Sequence, residues 1–268
     1  THLVSANKTV DLVPLGLLLE LAFEPSLSAS AGMAAARVRL ESWFTGQTID
    51  AAAARSWAAA ARAVTQALYR RPGSGPLLST VLSRFDELLA EFKISELAAK
   101  SDFSPVGFEQ RVRVFAQDLG RFAQAGASTN LDAKRLVVAI ESLQSQMLAG
   151  KYQRRIEQCQ MAARLAAWIA AGAKLSSGSS LNEMVEGYAR VGGFVDWTRM
   201  VVQEGDSEPA LNKAYDALIA RAEEICGTFE ANFAAKLAEW TAQGANPESA
   251  FVPVEHALDK LIGPLGAH

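Results

Sequence analysis

Residues Leu77–Ile94 read "LLSTVLSRFDELLAEFKI". Leu78, Leu82, Phe85, Leu89 and Phe92 recur three or four positions apart, which on a helix gathers them into one apolar stripe. A strand would need alternation at every second position, and the run does not alternate. Just before it stands Pro72-Gly73-Ser74-Gly75-Pro76, the clearest loop in the chain. The same helical period continues on both sides of this segment, and no alternating stretch interrupts it. The fold class that follows is all-α, an irregular multi-helix bundle of about ten helices.

Toward the N-terminus, Asp11 to Phe23 forms a first helix that stops before Pro25, and "AAARVRLESWF" a second, closed by Gly46. "TIDAAAARSWAAAARAVTQALYRR" offers Thr48 or Asp50 as an N-cap and runs to the Pro72 loop. Toward the C-terminus, "SDFSPVGFEQRVRVFAQDLGRFAQAG" opens on a Ser-Pro start and ends at Gly126. The span from Ser128 to Gly172 is long enough for one helix or two, with Gly150 the expected break, and a Ser/Gly loop at 176–180 follows. Residues 207–244 read as a long amphipathic helix capped by Asp206 or Ser207, with Pro209 in its first turn, where a missing N–H does no harm. One short helix between Pro253 and Gly263 closes the chain. The Pro72–Pro76 loop divides an N-terminal helical subdomain, residues 1–75, from a main helical domain, residues 76–268. No 34- or 40-residue repeat aligns.

The densest punctuation lies at Tyr188–Ala210, "YARVGGFVDWTRMVVQEGDSEPA". Gly192 and Gly193 are what a helix end needs to turn left-handed without a Cβ clash. Asp196 is then expected to cap the next helix, with Trp197 and Phe194 packed inward as anchors. This stretch reads as a structural turn and not as a catalytic loop.

Half of the 268 residues are hydrophobic and 21% are charged, as in an ordinary globular domain. The formal charge of -3 gives no bulk attraction to nucleic acid or an anionic membrane. Cys159 and Cys226 are far apart and lack metal-binding spacing, so they read as reduced thiols of a cytoplasmic protein. The apolar run "LVPLGLLLELAF" is too short to span a bilayer and is interrupted by Pro14 and Glu20. The chain opens on Thr, which points to an excised segment of a longer protein.

A metal site needs converging His, Cys or carboxylates. The histidines are His2, His256 and His268, and no HExxH, phosphate-cradling or nucleophile-elbow motif occurs. Asp86 and Glu87 lack a third carboxylate in register and read as a solvated helix face. No catalytic, metal or cofactor-binding residue is assigned, and no cofactor is expected. The basic pairs Arg70-Arg71, Lys134-Arg135 and Arg154-Arg155, interleaved with Tyr69 and Tyr152, read either as solvated faces or as contacts to nucleic acid or a protein partner.

In the C-terminal half, "MAARLAAWIA", "EGYARVGGFVDWTRMVVQEGDSEPALNKAYDALIARAE" and "FVPVEHALDKLIGPLGAH" resemble the helical region just upstream of the phosphatase domain in PglZ proteins of the bacteriophage-exclusion (BREX) and phage-growth-limitation defence systems. "SDFSPVGFEQRVRVFAQDLGRFA" and "ESWFTG" fit more loosely. The resemblance implies that an alkaline-phosphatase-like domain begins about where this sequence ends, so none of its metal ligands carries over. It further implies a non-catalytic helical scaffold of a phage-defence protein. Its partners would be the phosphatase-like domain of the same polypeptide and other BREX components, with no membrane involved. Two alternatives stand beside it: a DNA-binding helical module, and an unrelated helical-bundle enzyme with a small-molecule pocket.

Overall fold

A computed structural model of the chain describes residues 9–24, 26, 31–44, 48–125, 130–172, 180–243, 252 and 254–263. Among these residues every regular element is helical and none is a strand. Backbone packing divides the chain into two compact units. The first comprises residues 1–115 and 138–156, the second residues 116–137 and 157–268.

The first unit is organised around α1, Leu12–Ala22, preceded by a 3-10 turn at Thr9–Asp11. Leu15, Leu17, Leu18, Leu19 and Leu21 are all buried. A helix apolar on every side must be enclosed by others. It is enclosed by α3, Ala51–Arg70, and α4, Gly75–Glu91, with α2, Ala31–Trp43, also against it. The buried face of α3 is Ala54, Ala58, Ala61 and Thr65, small enough for close helix approach. A Cβ on Gly16 of α1 would overlap Ala61 and stand 3.0 Å from the Trp57 ring. Trp57 Nε1 donates to the Leu12 carbonyl at 2.8 Å, so its polar edge is satisfied at this contact.

Of the two candidate caps for α3, Asp50 takes the position: its Oδ2 accepts from Ala53 N–H at 2.8 Å. The helix ends where Arg71, which precedes Pro72, turns extended at ψ 121°. Gly73 at φ +81° completes the turn, and α4 starts with Pro76 in its first turn. The Pro72–Pro76 loop thus joins two helices of the same unit. Leu82, Phe85, Leu89 and Phe92 of the predicted stripe are buried, with Leu88 added, and Leu78 is half-buried. On the opposite face Arg84 bonds buried Asp11 at 2.7 Å and also pairs with Glu87 and Glu91. These bonds hold the Arg84 guanidinium above its ordinary value even though burial opposes the charge.

After a 3-10 turn at Ser95–Lys100 comes α5, Pro105–Gln124. The Ser-Pro start is a two-tier cap: Ser104 Oγ accepts from Gly107 N–H at 2.7 Å and donates to Asp86 Oδ1 at 2.5 Å. Asp86 Oδ2 accepts from Val106 N–H at 3.1 Å. The span expected to break at Gly150 does so between α6, Asn130–Gln144, and α7, Gln153–Ala170, through a 3-10 turn at Met147–Tyr152.

In the second unit the main element is α10, Pro209–Ala242. Its buried face is Leu211, Ala214, Tyr215, Leu218, Ala222 and Cys226, and the Tyr215 hydroxyl lies 3.5 Å from the sulfur of buried Cys159. Arg221 donates to the carbonyls of Phe122 and Ala125 at 2.7 and 2.8 Å, closing the last turn of α5. The cap of α10 is Glu208, accepting from Ala210 N–H at 3.4 Å, and not Asp206 or Ser207. Asp206 is instead drawn into the preceding loop: its Oδ1 accepts from Glu208 N–H, and Asn212 holds its backbone. Gly205 at φ +74° makes that geometry accessible.

α8, Leu181–Gly187, opens on a capping box in which Ser180 and Glu183 satisfy each other's backbone N–H. It runs without interruption through a π-helical segment at Tyr188–Gly192 into α9, Gly193–Gln203. Last comes α11, Val254–Ala257, followed by a π turn to Ile262. Residues 1–8, 126–129, 173–179 and 264–268 lie outside the described residues, so the positions of His2, His268, Gly126 and most of the Ser/Gly loop are not described.

Candidate functional site

Between Gly187 and Phe194 the structure corrects the expected turn. Gly192 (φ -60°, ψ -44°) and Gly193 (φ -58°, ψ -35°) are both right-handed helical, so no left-handed cap forms there. The chain absorbs the glycine pair as a π segment, in which the helix widens by a residue and continues. Asp196 consequently lies inside the first turn of α9 and makes no capping bond. It accepts from the Tyr188 hydroxyl at 2.5 Å and pairs with Arg199 at 3.2 Å. Trp197 is turned outward, half its surface exposed, while Val195, Thr198 and Val202 face the core. The extra residue of the π segment shifts the phase of everything after it, which is why the inward face is not the one expected. Gly192 has its own use: a Cβ there would come within 2.7 Å of the Tyr188 ring.

The basic pairs are divided between the two units. Arg70 and Arg71 are exposed at the end of α3, and Arg154 is exposed in the first turn of α7. Lys134 and Arg135 are exposed on α6, in residues of the second unit. Arg155 departs from both readings of its pair. Its guanidinium bonds Glu109 at 2.7 Å and sits 5.9 Å over the Phe108 ring, which itself stacks on Tyr152 at 4.1 Å. That cation is part of the packing of the first unit. Tyr69 is likewise engaged, its hydroxyl close over Gly150, where a Cβ would stand 2.6 Å away.

Sequence reasoning missed the charged clusters of the first unit, because their members are separated by tens of residues. Arg62 on α3 bridges Glu20 on α1 at 2.6 Å and Asp102 at 3.3 Å. Burial lowers the Arg62 guanidinium, but the two carboxylates outweigh it and the net shift is upward. Beside them a cleft of about 420 Å³ is lined by Glu20, Glu24, Arg62, Lys100 and Asp102. Glu20 and Asp102 both pair with Arg62, which stabilises the corner, and with acids and bases both in the wall no single sign of charge is left to select a ligand. Among the described residues no three His, Cys, Asp or Glu side chains stand close enough to share a metal ion.

Asp86 does not lie on a solvated face. It is half-buried, and burial pushes its carboxyl above the ordinary carboxylate range despite the bonds from Ser104 and Val106. A raised folded-state value means that the native state holds the proton longer than the unfolded chain. The contribution of Asp86 to stability is therefore complete below about pH 4 and declines as pH rises through the folded-state value. Comparing urea midpoints of the wild type and Asp86→Asn across pH 4–7 is expected to show the wild type's relative advantage shrinking toward neutrality. An advantage that grows with pH would contradict this placement.

Residues 1–103 match the family model described as the BREX system PglZ second domain. Over these residues, 103 of the 268, the chain is similar to that PglZ helical domain. The PglZ match takes in α1 to α4 and the Ser95–Lys100 turn, with both helices that flank the Pro72–Pro76 loop. It falls on the N-terminal part, where the quoted resemblance was looser, and does not reach "VGGFVDW" or "VPVEHALDKLIGPL". No curated protein and no solved structure matches the chain. Among the described residues no helix is long and apolar enough to cross a membrane.

Proposed function

We propose that the chain is a non-catalytic helical scaffold of a PglZ-like phage-defence protein, positioning a phosphatase-like domain and presenting surfaces to other defence components. The family match over residues 1–103 carries this reading. Side-chain chemistry supports it: Asp50, Ser104, Asp86 and Glu208 cap helix starts, and Arg62, Arg84 and Arg155 bind helices together. Val38, Val64 and Leu77 in the first unit are 65%, 46% and 56% exposed, and they are the apolar surface positions this reading offers for partner contact.

The test uses a PglZ-like protein carrying this region and its phosphatase-like domain, expressed with the other components of its defence system. Val64→Glu with Leu77→Glu is expected to reduce co-purification of those components while leaving the helical spectrum intact. The 268-residue chain alone is expected to show no metal-dependent turnover of phosphomonoesters or phosphodiesters. Turnover abolished by a substitution within this chain would overturn the scaffold reading.

A further inference from the structure

Tyr188, Phe229 and Phe233 form a column of stacked rings in the second unit. Their centroids are 6.4 and 5.9 Å apart and their planes within 12° and 22° of parallel. Beside the column is a cleft of about 220 Å³, with Cys226 and the three rings in its wall and the carboxylates of Asp196 and Glu230 beside them. Drug-sized ligands occupy roughly 300 Å³ or more. This volume suits one long side chain instead.

Charge decides what kind of side chain. The nearby cation is Arg199, at 3.2 Å from Asp196, 2.9 Å from Glu223 and 3.9 Å from Glu230. One guanidinium among three carboxylates leaves an excess of negative charge. Glu230 is the loosest of the three partners and 63% exposed at its side chain, so it can accept a second cation. Burial keeps the Cys226 thiol protonated, which makes that part of the wall neutral and apolar.

The arrangement is held in place by the fold. The π segment directs Tyr188 at Asp196, and Gly192 leaves room for its ring. π segments of this kind occur disproportionately at functional sites. Beyond the cleft, from residue 230 to residue 242, α10 has no fully buried residue, and Leu237 shows 38% of its surface. A peptide entering the cleft would therefore find open helix surface beside it.

We infer that this cleft receives an arginine side chain from a partner protein, its guanidinium stacked on the aromatic column and hydrogen-bonded to Glu230. Aromatic faces attract a cation, and a guanidinium adds planar stacking and forked donation to a carboxylate. The inference rests on the reading of this region as a docking scaffold and gives one docking contact its chemistry.

The 268-residue chain is titrated with the capped peptide Ala-Ala-Arg-Ala-Ala while NMR follows Cys226 and Phe233. Parallel titrations use the norleucine and glutamate analogues and spermidine. The arginine peptide is expected to shift both signals with a dissociation constant on the order of 1 mM. Added salt and Glu230→Gln should each weaken it, the variant at least about fivefold. Glu230 is exposed, so this variant leaves the fold unchanged. No shift at about 20 mM peptide, equal binding by the norleucine or glutamate analogue, or binding by spermidine alone would overturn the assignment. An unaltered dissociation constant in Glu230→Gln would do the same. If co-purification of defence components persists while the arginine peptide fails, this assignment falls and the scaffold reading stands. If the peptide binds but no component co-purifies, the scaffold reading falls and the cleft remains a guanidinium site.

Discussion

Arg111→Met is expected to lower the stability of the first unit by about 1–3 kcal/mol, the range for leaving a buried hydrogen-bonding group unsatisfied. Arg111 is 8% exposed, and its guanidinium gathers five groups from two segments, residues 99–102 and 142–145. It donates to the carbonyls of Ala99 (2.8 Å), Ser101 (3.2 Å) and Ser142, to Ser145 Oγ at 3.2 Å, and lies 3.6 Å from Asp102. Methionine fills much of the volume but leaves the Ala99 carbonyl without its side-chain donor, whereas the Ser101 carbonyl keeps Gln146 Nε2 and the Ser142 carbonyl keeps Ser145 Oγ. The desolvation of that one carbonyl sets most of the magnitude, since a hydrogen bond merely exchanged for one to water contributes only about 1 kcal/mol net. Burial pulls the Arg111 guanidinium below its ordinary value, with Asp102 opposing the shift. Arg111→Lys keeps the charge but has no fork to reach several acceptors at once, so it is expected to fall between wild type and methionine. Urea unfolding followed by circular dichroism checks both. A methionine variant with the wild-type midpoint would mean that the Ala99 carbonyl finds another donor and that Arg111 is dispensable.

The contrast with the apolar stripe of α4 explains how much of this protein could be read in advance. Leu82, Phe85 and Leu89 announce a helix and its buried face because the information is local: spacing along eight residues fixes direction around the axis. The caps at Asp50 and Ser104 and the break near Gly150 are legible for the same reason. Arg111 is not. Nothing within "EQRVRVFAQ" distinguishes it from Arg113 two positions later, which faces solvent. Its role is created by Ala99, Ser101 and Ser142 arriving from elsewhere. The outward turn of Trp197 was hidden for a subtler reason. Two glycines are compatible with a helix end or with a helix that widens and continues, and here Tyr188 needs the space above Gly192. The aromatic cleft of the second unit was hidden in the same way. Asp196 and Tyr188 lie close in sequence, but Glu230 and Phe233 reach them only through the packing of α9 on α10.

Gly107→Ala is expected to destabilise the first unit by about 2–4 kcal/mol, although alanine is the better helix former by about 1 kcal/mol. The residue lies in the first turn of α5, and an added Cβ would overlap the Ala98 carbonyl, standing 2.6 Å from its carbon and 3.0 Å from Ser104 Cβ. That carbonyl cannot rotate aside freely, because it accepts from Ser101 N–H at 3.0 Å in the turn that leads into α5. The helix start must therefore move. Movement there stretches the bonds from Gly107 N–H to Ser104 and from Val106 N–H to Asp86, and each cap of this kind contributes about 1 kcal/mol. Loss of both, added to the overlap itself, exceeds the gain in propensity. Gly227→Ala provides the opposite case: it lies within α10, is exposed, and meets nothing within 4 Å, so the same substitution is expected to stabilise the second unit by about 1 kcal/mol. Opposite signs for one chemical change would isolate the backbone approach as the cause. If both variants gained stability, the turn at Ser95–Lys100 would have to be standing farther from α5 than described, and the two-tier cap built on Asp86 and Ser104 would lose its geometric basis.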